Sequence, residues 1–202
     1  MEVSQWLIEN TPDLKIDIGP QRVPCASGPQ FASRYVVDPA RDRVFDYLPD
    51  SMFHRIRNRD DFSRLLVFDK WTGNSDGRQA VFVQHPAQRS YDAVFIDQGF
   101  CFNAGEWDFP DSPLGGAYAR NSVYDGVTGW ESFEPTLSAV EQIDVDELRQ
   151  IAAEIPPEWY GHDSGAIAGL INRLHARRPL VRKLIASFRN SSRNPFPNWK
   201  GE

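Results

Sequence analysis

The chain has 202 residues, with 28 acidic and 22 basic side chains and a formal net charge of −6. Such a chain lacks the basic field of a general nucleic-acid binder, and no apolar run approaches the roughly 20 residues that span a bilayer. Hydrophobic residues make up 41% of the chain and include 13 Phe, which is enough for one well-buried domain. We therefore expect a globular protein that binds no nucleic acid and has no membrane span.

The cysteines and the opening segment bear on the cellular compartment. Cys25 and Cys101 are the only two cysteines, and their spacing is typical of neither a disulfide framework nor a zinc site. The first ten residues, MEVSQWLIEN, lack the basic residues and continuous apolar stretch of a signal peptide. Free thiols are typical of a reducing compartment, so the sequence predicts a cytoplasmic protein.

The first 45 residues are predicted to form a hinge-like segment that is irregular and partly extended. Prolines and glycines interrupt its middle part and disfavour long regular elements there. Short strands are predicted over VSQWLI (3–8) and FASRYVV (31–37), where polar and apolar residues alternate. Helical turns are predicted for the two segments that follow, VFDYLP (44–49) and SMFHRI (51–56).

Residues 46–190 are predicted to form the main domain, which is α+β and mainly helical. Asp61 can cap a helix in which Phe62, Leu65 and Leu66 recur at helical spacing. Apolar residues on its other faces predict a helix that is buried almost all round. This helix is expected to stop at Gly73.

The clearest strands are AVFVQ (80–84) and YDAVFID (91–97). A polar turn separates them, so they predict a β-hairpin over residues 80–97. The region that follows, to about Pro135, is rich in glycine, proline and aromatic residues. Because aromatic side chains favour burial, we expect an ordered loop or short helices there rather than a linker.

The C-terminal third is predicted to be helical. Asp144 can cap one helix, Asp163 or Ser164 a second, and Pro179 suits the first turn of a third. Residues 191–202 are rich in Asn, Ser and Pro and are predicted to form a flexible tail.

Chemically reactive residues are concentrated in the turn after the first long helix and at the end of the hairpin. An antiparallel hairpin returns to its start, so Asp97 is expected beside Gln79 and the turn that carries Asp76. Carboxylate and amide oxygens suit Mg²⁺ against a substrate phosphate, and a free carboxylate can deprotonate a hydroxyl acceptor. Arg78 can pair with a phosphate or with a carboxylate. The residues predict phosphoryl transfer, with calcium binding or a plain salt-bridged turn as alternatives.

Two motifs resemble those of a known family. VFDKWTGNSDGR, followed by a strand and then FIDQG, resembles the catalytic and metal-binding segments of HipA-like kinases, relatives of the phosphatidylinositol-kinase superfamily. SDGR matches the family's Asp-Gly-His or Asp-Arg-His turn, so the resemblance implies that Asp76 is the catalytic base. IDQG matches Ile-Asp-His-Gly, so it implies that Asp97 binds magnesium. The implied fold is a protein-kinase-like C-terminal lobe, and the implied ligands are ATP and Mg²⁺.

The chain departs from the family at the second metal ligand. The family's Asn usually follows the catalytic Asp by five positions, where this chain has Val81. Gln79, or alternatively Asn74, is the amide placed to substitute for it. Asp69 and Asn74 do have the kinase-like spacing, but Asp69 would lie inside a helix. Asp76 is therefore preferred as the base, and Asp69 is expected to be a buried, paired carboxylate that supports the turn.

The chain also departs from the family before the turn. Lys15 is the only lysine before Lys70, and no glycine-rich strand–turn–strand precedes Asp76. We therefore expect a C-terminal lobe of an ATP- and Mg²⁺-dependent phosphotransferase, which a separate N-terminal lobe or another protein partner would complete. The alternative is a pseudokinase-like module that binds a partner or a ligand without transferring phosphate.

Overall fold

The computed structural model describes residues 1–18 and 20–200 and has a mixed α+β fold. Helices account for 42% of the chain, and the sheets are small. Contacts divide the chain into two compact units, Met1–Val36 and Val37–Glu202. The α+β class expected from the sequence is therefore confirmed.

The described residues form short strands, six α-helices and several 3₁₀ turns. The strands are β1 (Glu2–Val3), β2 (Lys15–Ile18), β3 (Gln21–Pro24), β4 (Gly28–Pro29), β5 (Arg43–Phe45), β6 (Gln79–Gln84) and β7 (Asp92–Ile96). The α-helices are α1 (Gln5–Asn10), α2 (Asp61–Thr72), α3 (Thr136–Gln142), α4 (Val145–Ala153), α5 (Ser164–Arg177) and α6 (Val181–Arg189). The 3₁₀ helices are Asp50–Arg55, Asn121–Tyr124, Trp130–Phe133, Pro157–Tyr160 and Arg178–Leu180. The segment Cys101–Glu106 forms turns that are interrupted by three residues with positive φ, Phe102, Asn103 and Ala104. Within the described ranges, no helix is both long and apolar enough to cross a membrane.

The first unit contains two small antiparallel pairs and one short helix. β1 pairs with β4, and β2 pairs with β3. The hydroxyl of Ser4 accepts a hydrogen bond from the N–H of Leu7 and so caps α1. Because this cap starts a helix, most of the strand predicted over VSQWLI is helical, and only Val3 of that segment lies in a strand. Residues 31–37, predicted as a strand, have no strand partner and no regular structure.

The second unit is built around a three-stranded antiparallel sheet with the order β5–β6–β7. β6 and β7 form the hairpin predicted for residues 80–97, in a register that places Gln79 opposite Ile96 and Val83 opposite Asp92. This register decides which ends of the two strands meet, and it brings the end of β7 to the start of β6.

The segment before the sheet differs from the prediction. Arg43–Phe45 is a strand that pairs with β6, not the helical turn predicted over 44–49. It belongs to the second unit, whose start at Val37 falls inside the predicted hinge-like segment 1–45. The helical turn predicted over 51–56 is present as the 3₁₀ helix Asp50–Arg55.

Helix α2 is buried on most of its surface, as its apolar pattern predicted. It packs against α3, α5 and α6, and the ring of Phe62 lies edge-on to those of Phe95 and Tyr118. Asp60, not Asp61, occupies the N-cap position, without a side-chain capping bond, and Asp61 accepts hydrogen bonds from the side chains of Asn58 and Arg64. The helix ends at Gly73, whose left-handed φ of 61° suits glycine.

The C-terminal helices α4, α5 and α6 were all predicted from the sequence. Asp144 forms a capping box at α4, and Asp163 caps α5 by accepting the N–H of Ala166. The part of 191–202 that the structure describes packs against the rest of the unit, unlike the flexible tail predicted for it. Phe196 is 3% exposed, and the N–H of Lys200 donates to a carbonyl at 2.8 Å. The aromatic side chains of this segment pack into the core, which its Asn, Ser and Pro content did not indicate.

Candidate functional site

The candidate site lies where α2 ends and the hairpin closes. The chain leaves α2 at Gly73, turns through residues 74–77 and enters β6 at Gln79. Because Ile96 pairs with Gln79, Asp97 follows directly at the start of β6. The structure therefore brings the turn and the second acidic motif to the same end of the hairpin, as the sequence predicted.

Asp97 is exposed and held by two hydrogen bonds. Its Oδ2 accepts the side-chain amide of Gln79 at 3.0 Å, and its Oδ1 accepts the backbone N–H of Gly99 at 3.3 Å. Its backbone has a φ of 58°, a left-handed conformation in which aspartate is tolerated better than bulky residues. The expected neighbours Asp97 and Gln79 are thus in direct contact.

Asp76 is exposed at the tip of the turn. Its Oδ1 accepts the backbone N–H of Gly77 at 2.7 Å, whereas no described group donates to its Oδ2. Its own backbone is held on both sides, because its N–H donates to the side chain of Asn74 and its carbonyl accepts the N–H of Gly116 at 2.7 Å. One oxygen of a firmly placed carboxylate therefore remains available.

Asn74 is in the interior and is not placed to bind a metal at the surface. It is 3% exposed, and both ends of its amide are engaged. Its Nδ2 donates to Asp69 at 3.0 Å, and its Oδ1 accepts the N–H of Asp76 at 3.1 Å. The structure does not place Asn74 as the metal ligand that was predicted, because this side chain shapes the turn from within.

Asp69 and Arg78 form a buried, bidentate ion pair beneath the turn. The Nε of Arg78 donates to Oδ2 of Asp69 at 2.9 Å, and its Nη2 contacts Oδ1. The Nη1 of Arg78 donates to the carbonyls of Ile96 and Asp97, at 3.1 and 3.2 Å. Asp69 is thus the buried, paired carboxylate expected from its helical position. Arg78 is the carboxylate partner, and burial keeps it from reaching a phosphate at the surface.

Burial and charge act in opposite directions on this pair. Burial raises the pKa of the Asp69 carboxyl, and the hydrogen bonds and charge of Arg78, together with Asn74, oppose that shift. Burial also works against the charged guanidinium, but Asp69 raises the pKa of Arg78 above its ordinary value. A bidentate pair carries no net charge, so the negative charge of the site is that of the exposed Asp76 and Asp97.

The remaining donors fit magnesium better than calcium. Among the described residues, no three His, Cys, Asp or Glu side chains cluster in a way that could hold a metal ion. The site offers two carboxylates, and the amide oxygen of Gln79 accepts no hydrogen bond from a described group. Mg²⁺ retains several waters and is completed by phosphates, whereas Ca²⁺ needs six to eight oxygens. Two carboxylates therefore suit a magnesium–phosphate complex, and the calcium alternative is disfavoured.

A segment that the sequence reasoning missed completes the turn. Gly116 donates to the carbonyl of Asp76, and the carbonyl of Ala117 accepts the N–H of Arg78 at 3.2 Å. The local signal for this approach is the Gly115–Gly116 pair, since glycine allows two backbones to come close. Nothing in the spacing indicated which part of the chain this pair would meet.

The site therefore consists of two exposed carboxylates, one amide and a buried ion pair beneath them. These groups come from α2, the turn and one end of the hairpin, where its two strands meet, so the fold itself determines their positions. In comparisons with known proteins, no family model, curated protein or solved structure matched this chain.

Proposed function

We propose that the turn and the hairpin end form the Mg²⁺–phosphate site of an ATP-dependent phosphotransferase, similar to the C-terminal lobe of HipA-like kinases. One observation supports this proposal most directly. The buried guanidinium of Arg78 contacts Asp69 at the end of α2 and the carbonyls of Ile96 and Asp97 at the end of the hairpin. A single group therefore joins the end of α2 to the backbone of Asp97, and phosphoryl transfer depends on preorganisation of this kind.

In this proposal the two carboxylates have different roles. Asp76 is the base: the N–H of Gly77 orients one of its oxygens, and the other accepts the proton of the acceptor hydroxyl. Asp97, with the amide oxygen of Gln79, is the metal-binding side, and bound Mg²⁺ supplies positive charge against the nucleotide phosphates. A separate N-terminal lobe or another protein partner would cover the nucleotide.

A pseudokinase-like binding module is the second candidate. It is favoured by the position of Asn74, because both ends of this amide are used inside the turn. Without that amide the metal would have fewer protein ligands than the kinase-like pattern supplies. Such a module would bind a nucleotide or another ligand through Asp97 without transferring phosphate.

Replacing Asp97 with asparagine is expected to weaken Mg²⁺-dependent ATP binding tenfold or more, which is about 1.4 kcal/mol. The substitution keeps the size of the side chain but removes the negative charge that the metal requires. Isothermal titration calorimetry of ATP with and without Mg²⁺ measures the effect. Asp125→Asn is the matched control, because Asp125 is an exposed carboxylate outside the turn and the hairpin.

The same variants separate the two candidates. Equal ATP affinity in wild type and Asp97→Asn would remove the site assignment. Phosphate transfer or ATP hydrolysis that is lost in Asp76→Asn and kept in Asp125→Asn would exclude the non-catalytic module. Tight Mg²⁺-dependent binding with no transfer to any tested protein or small-molecule hydroxyl would favour that module.

A further inference from the structure

Lys70 is a buried lysine on α2 whose ammonium group is fully engaged by one segment of the chain. The side chain is 3% exposed. Its Nζ donates to the carbonyls of Ser112, Pro113 and Gly115, at 3.2, 2.8 and 2.7 Å. An ammonium group has three protons, so each one has an acceptor. We call residues 109–118, which supply these carbonyls, the strap.

The strap continues from these carbonyls directly onto the candidate site. The N–H of Gly116 donates to the carbonyl of Asp76, and the carbonyl of Ala117 accepts the N–H of Arg78. The backbones of the proposed base and of the buried guanidinium are therefore both bonded to the segment that Lys70 holds.

The strap lies on the turn without space for an added side chain. A Cβ at Gly115 would lie 2.7 Å from the carbonyl oxygen of Asn74. A Cβ at Gly116, where φ is 71°, would lie 2.2 Å from the Cβ of Asp69. The two backbones are therefore packed too closely for an added side chain, and a shift of the strap is expected to displace the turn.

A second buried cation holds the start of the strap. Arg177 on α5 donates to the carbonyls of Trp71 and Lys70, each at 3.0 Å, and to Asp111 at 2.6 Å. Its guanidinium also lies over the ring of Phe109, 4.3 Å from the centroid. The strap is thus attached to the end of α2 by Arg177 near its start and by Lys70 in its middle.

The charged groups that act on Lys70 lie on α2, on the strap and in the C-terminal segment. Burial lowers the pKa of Lys70 to about 8, Asp69 and Asp111 oppose this shift, and Arg193 adds to it. The ring of Phe188 on α6 lies 5.3 Å from the Nζ. A neutral amine has two protons for three carbonyls, so deprotonation would release at least one contact with the strap.

We propose that Lys70 is a positioning residue for the candidate site: through the strap, it sets the position of the Asp76 and Arg78 backbones without touching a ligand. The geometric part of this inference is independent of the proposed function. The step from backbone position to ligand affinity rests on the proposed function, so the experiment measures the two separately.

The geometric part is tested by amide hydrogen exchange in NMR spectra of the full chain. Lys70→Met keeps the apolar stem and removes the ammonium, and Lys183→Met, at an exposed lysine of α6, is the matched control. We expect protection of the Gly116 and Arg78 amides to fall tenfold or more in Lys70→Met and less than twofold in Lys183→Met. In the wild type, the amide shifts of Gly115 and Gly116 are expected to titrate with a midpoint near pH 8.

If Lys70→Met does not fold, Gly115→Ala provides the test. The added methyl group of Gly115→Ala meets the Asn74 carbonyl and displaces the strap while Lys70 is retained. It is expected to expose the same two amides. Unchanged protection of these amides in the variants would overturn the proposal.

The functional part is read from Mg²⁺-dependent ATP binding by the same chains. Weaker ATP binding by Lys70→Met than by Lys183→Met supports the positioning role. A fall in the ATP affinity of the wild type above pH 8, absent in Lys70→Met, supports it as well. Unchanged affinity in Lys70→Met, together with loss in Asp97→Asn, would overturn that role and leave the proposed function standing. Exposed strap amides in a chain whose wild type binds no ATP would refute the proposed function and support the geometric part.

Discussion

An Asp69→Ala variant is expected to lose about 3–5 kcal/mol in its free energy of unfolding. The substitution leaves the guanidinium of Arg78 buried without its counter-charge, and it also removes the acceptor of the Asn74 amide. A charge in that position can neither reach water nor lose its proton, since arginine remains protonated at any ordinary pH. Urea unfolding at neutral pH measures the loss.

A double-mutant cycle tests whether the unpaired charge is the cause. Arg78→Met is expected to cost a similar amount, because it leaves the Asp69 carboxylate buried. The combined variant leaves neither charge, so its cost should be clearly smaller than the sum of the two. Arg149→Ala breaks the exposed pair with Asp146 and should change stability by less than about 1 kcal/mol. A loss of that small size in Asp69→Ala would contradict a structural role for the buried pair.

Local patterns were sufficient to predict the elements that position the site. The apolar spacing around Phe62 and the glycine at position 73 predicted α2 and its end. The alternation in residues 80–97 predicted the hairpin, and hairpin geometry alone required Asp97 to return to Gln79. The burial of Asp69 also followed from the sequence, because it falls on a helix that is apolar on most faces.

The remaining features depend on which residues face the interior and on distant contacts. From sequence spacing alone, Asn74 and Arg78 were both expected to be available to a ligand. In the structure the turn directs both side chains inward, towards Asp69. The strap meets the site through residues about 40 positions beyond it, at Gly115 and Gly116. No periodicity encodes such a contact, since it results from the packing of the whole unit.

The packing of the C-terminal segment was likewise not predictable from its composition. Its Asn, Ser and Pro residues are typical of a loose tail, yet its aromatic rings are part of the core. The ring of Phe196 lies within 6 Å, centroid to centroid, of four others, those of Tyr124, Phe133, Phe188 and Trp199. Composition describes only the average character of a segment. Two aromatic side chains that pack into the core are enough to order the whole segment.

Replacing Phe196 with alanine is therefore expected to cost about 3–5 kcal/mol, the range for removing a large buried aromatic side chain. The substitution leaves a cavity among four rings and removes edge-to-face and stacked contacts. Urea unfolding measures the loss. Phe31→Ala is the matched control, because Phe31 is 80% exposed and its removal should change stability by less than about 0.5 kcal/mol.

Limited proteolysis gives a second measure that depends on the segment alone. Arg193 donates to the carbonyls of Tyr118 and Ala119, so a packed segment holds this trypsin site against the body of the unit. Cleavage after Arg193 should be slow in the wild type and in Phe31→Ala, and much faster in Phe196→Ala. Rapid cleavage in the wild type, or a loss of less than about 1 kcal/mol in the free energy of unfolding of Phe196→Ala, would support the flexible tail that the sequence predicted. Arg193 binds the end of the strap, so a loosened C-terminal segment should also raise amide exchange at Gly116. That result would show that packing of Phe196 in the core affects the candidate site.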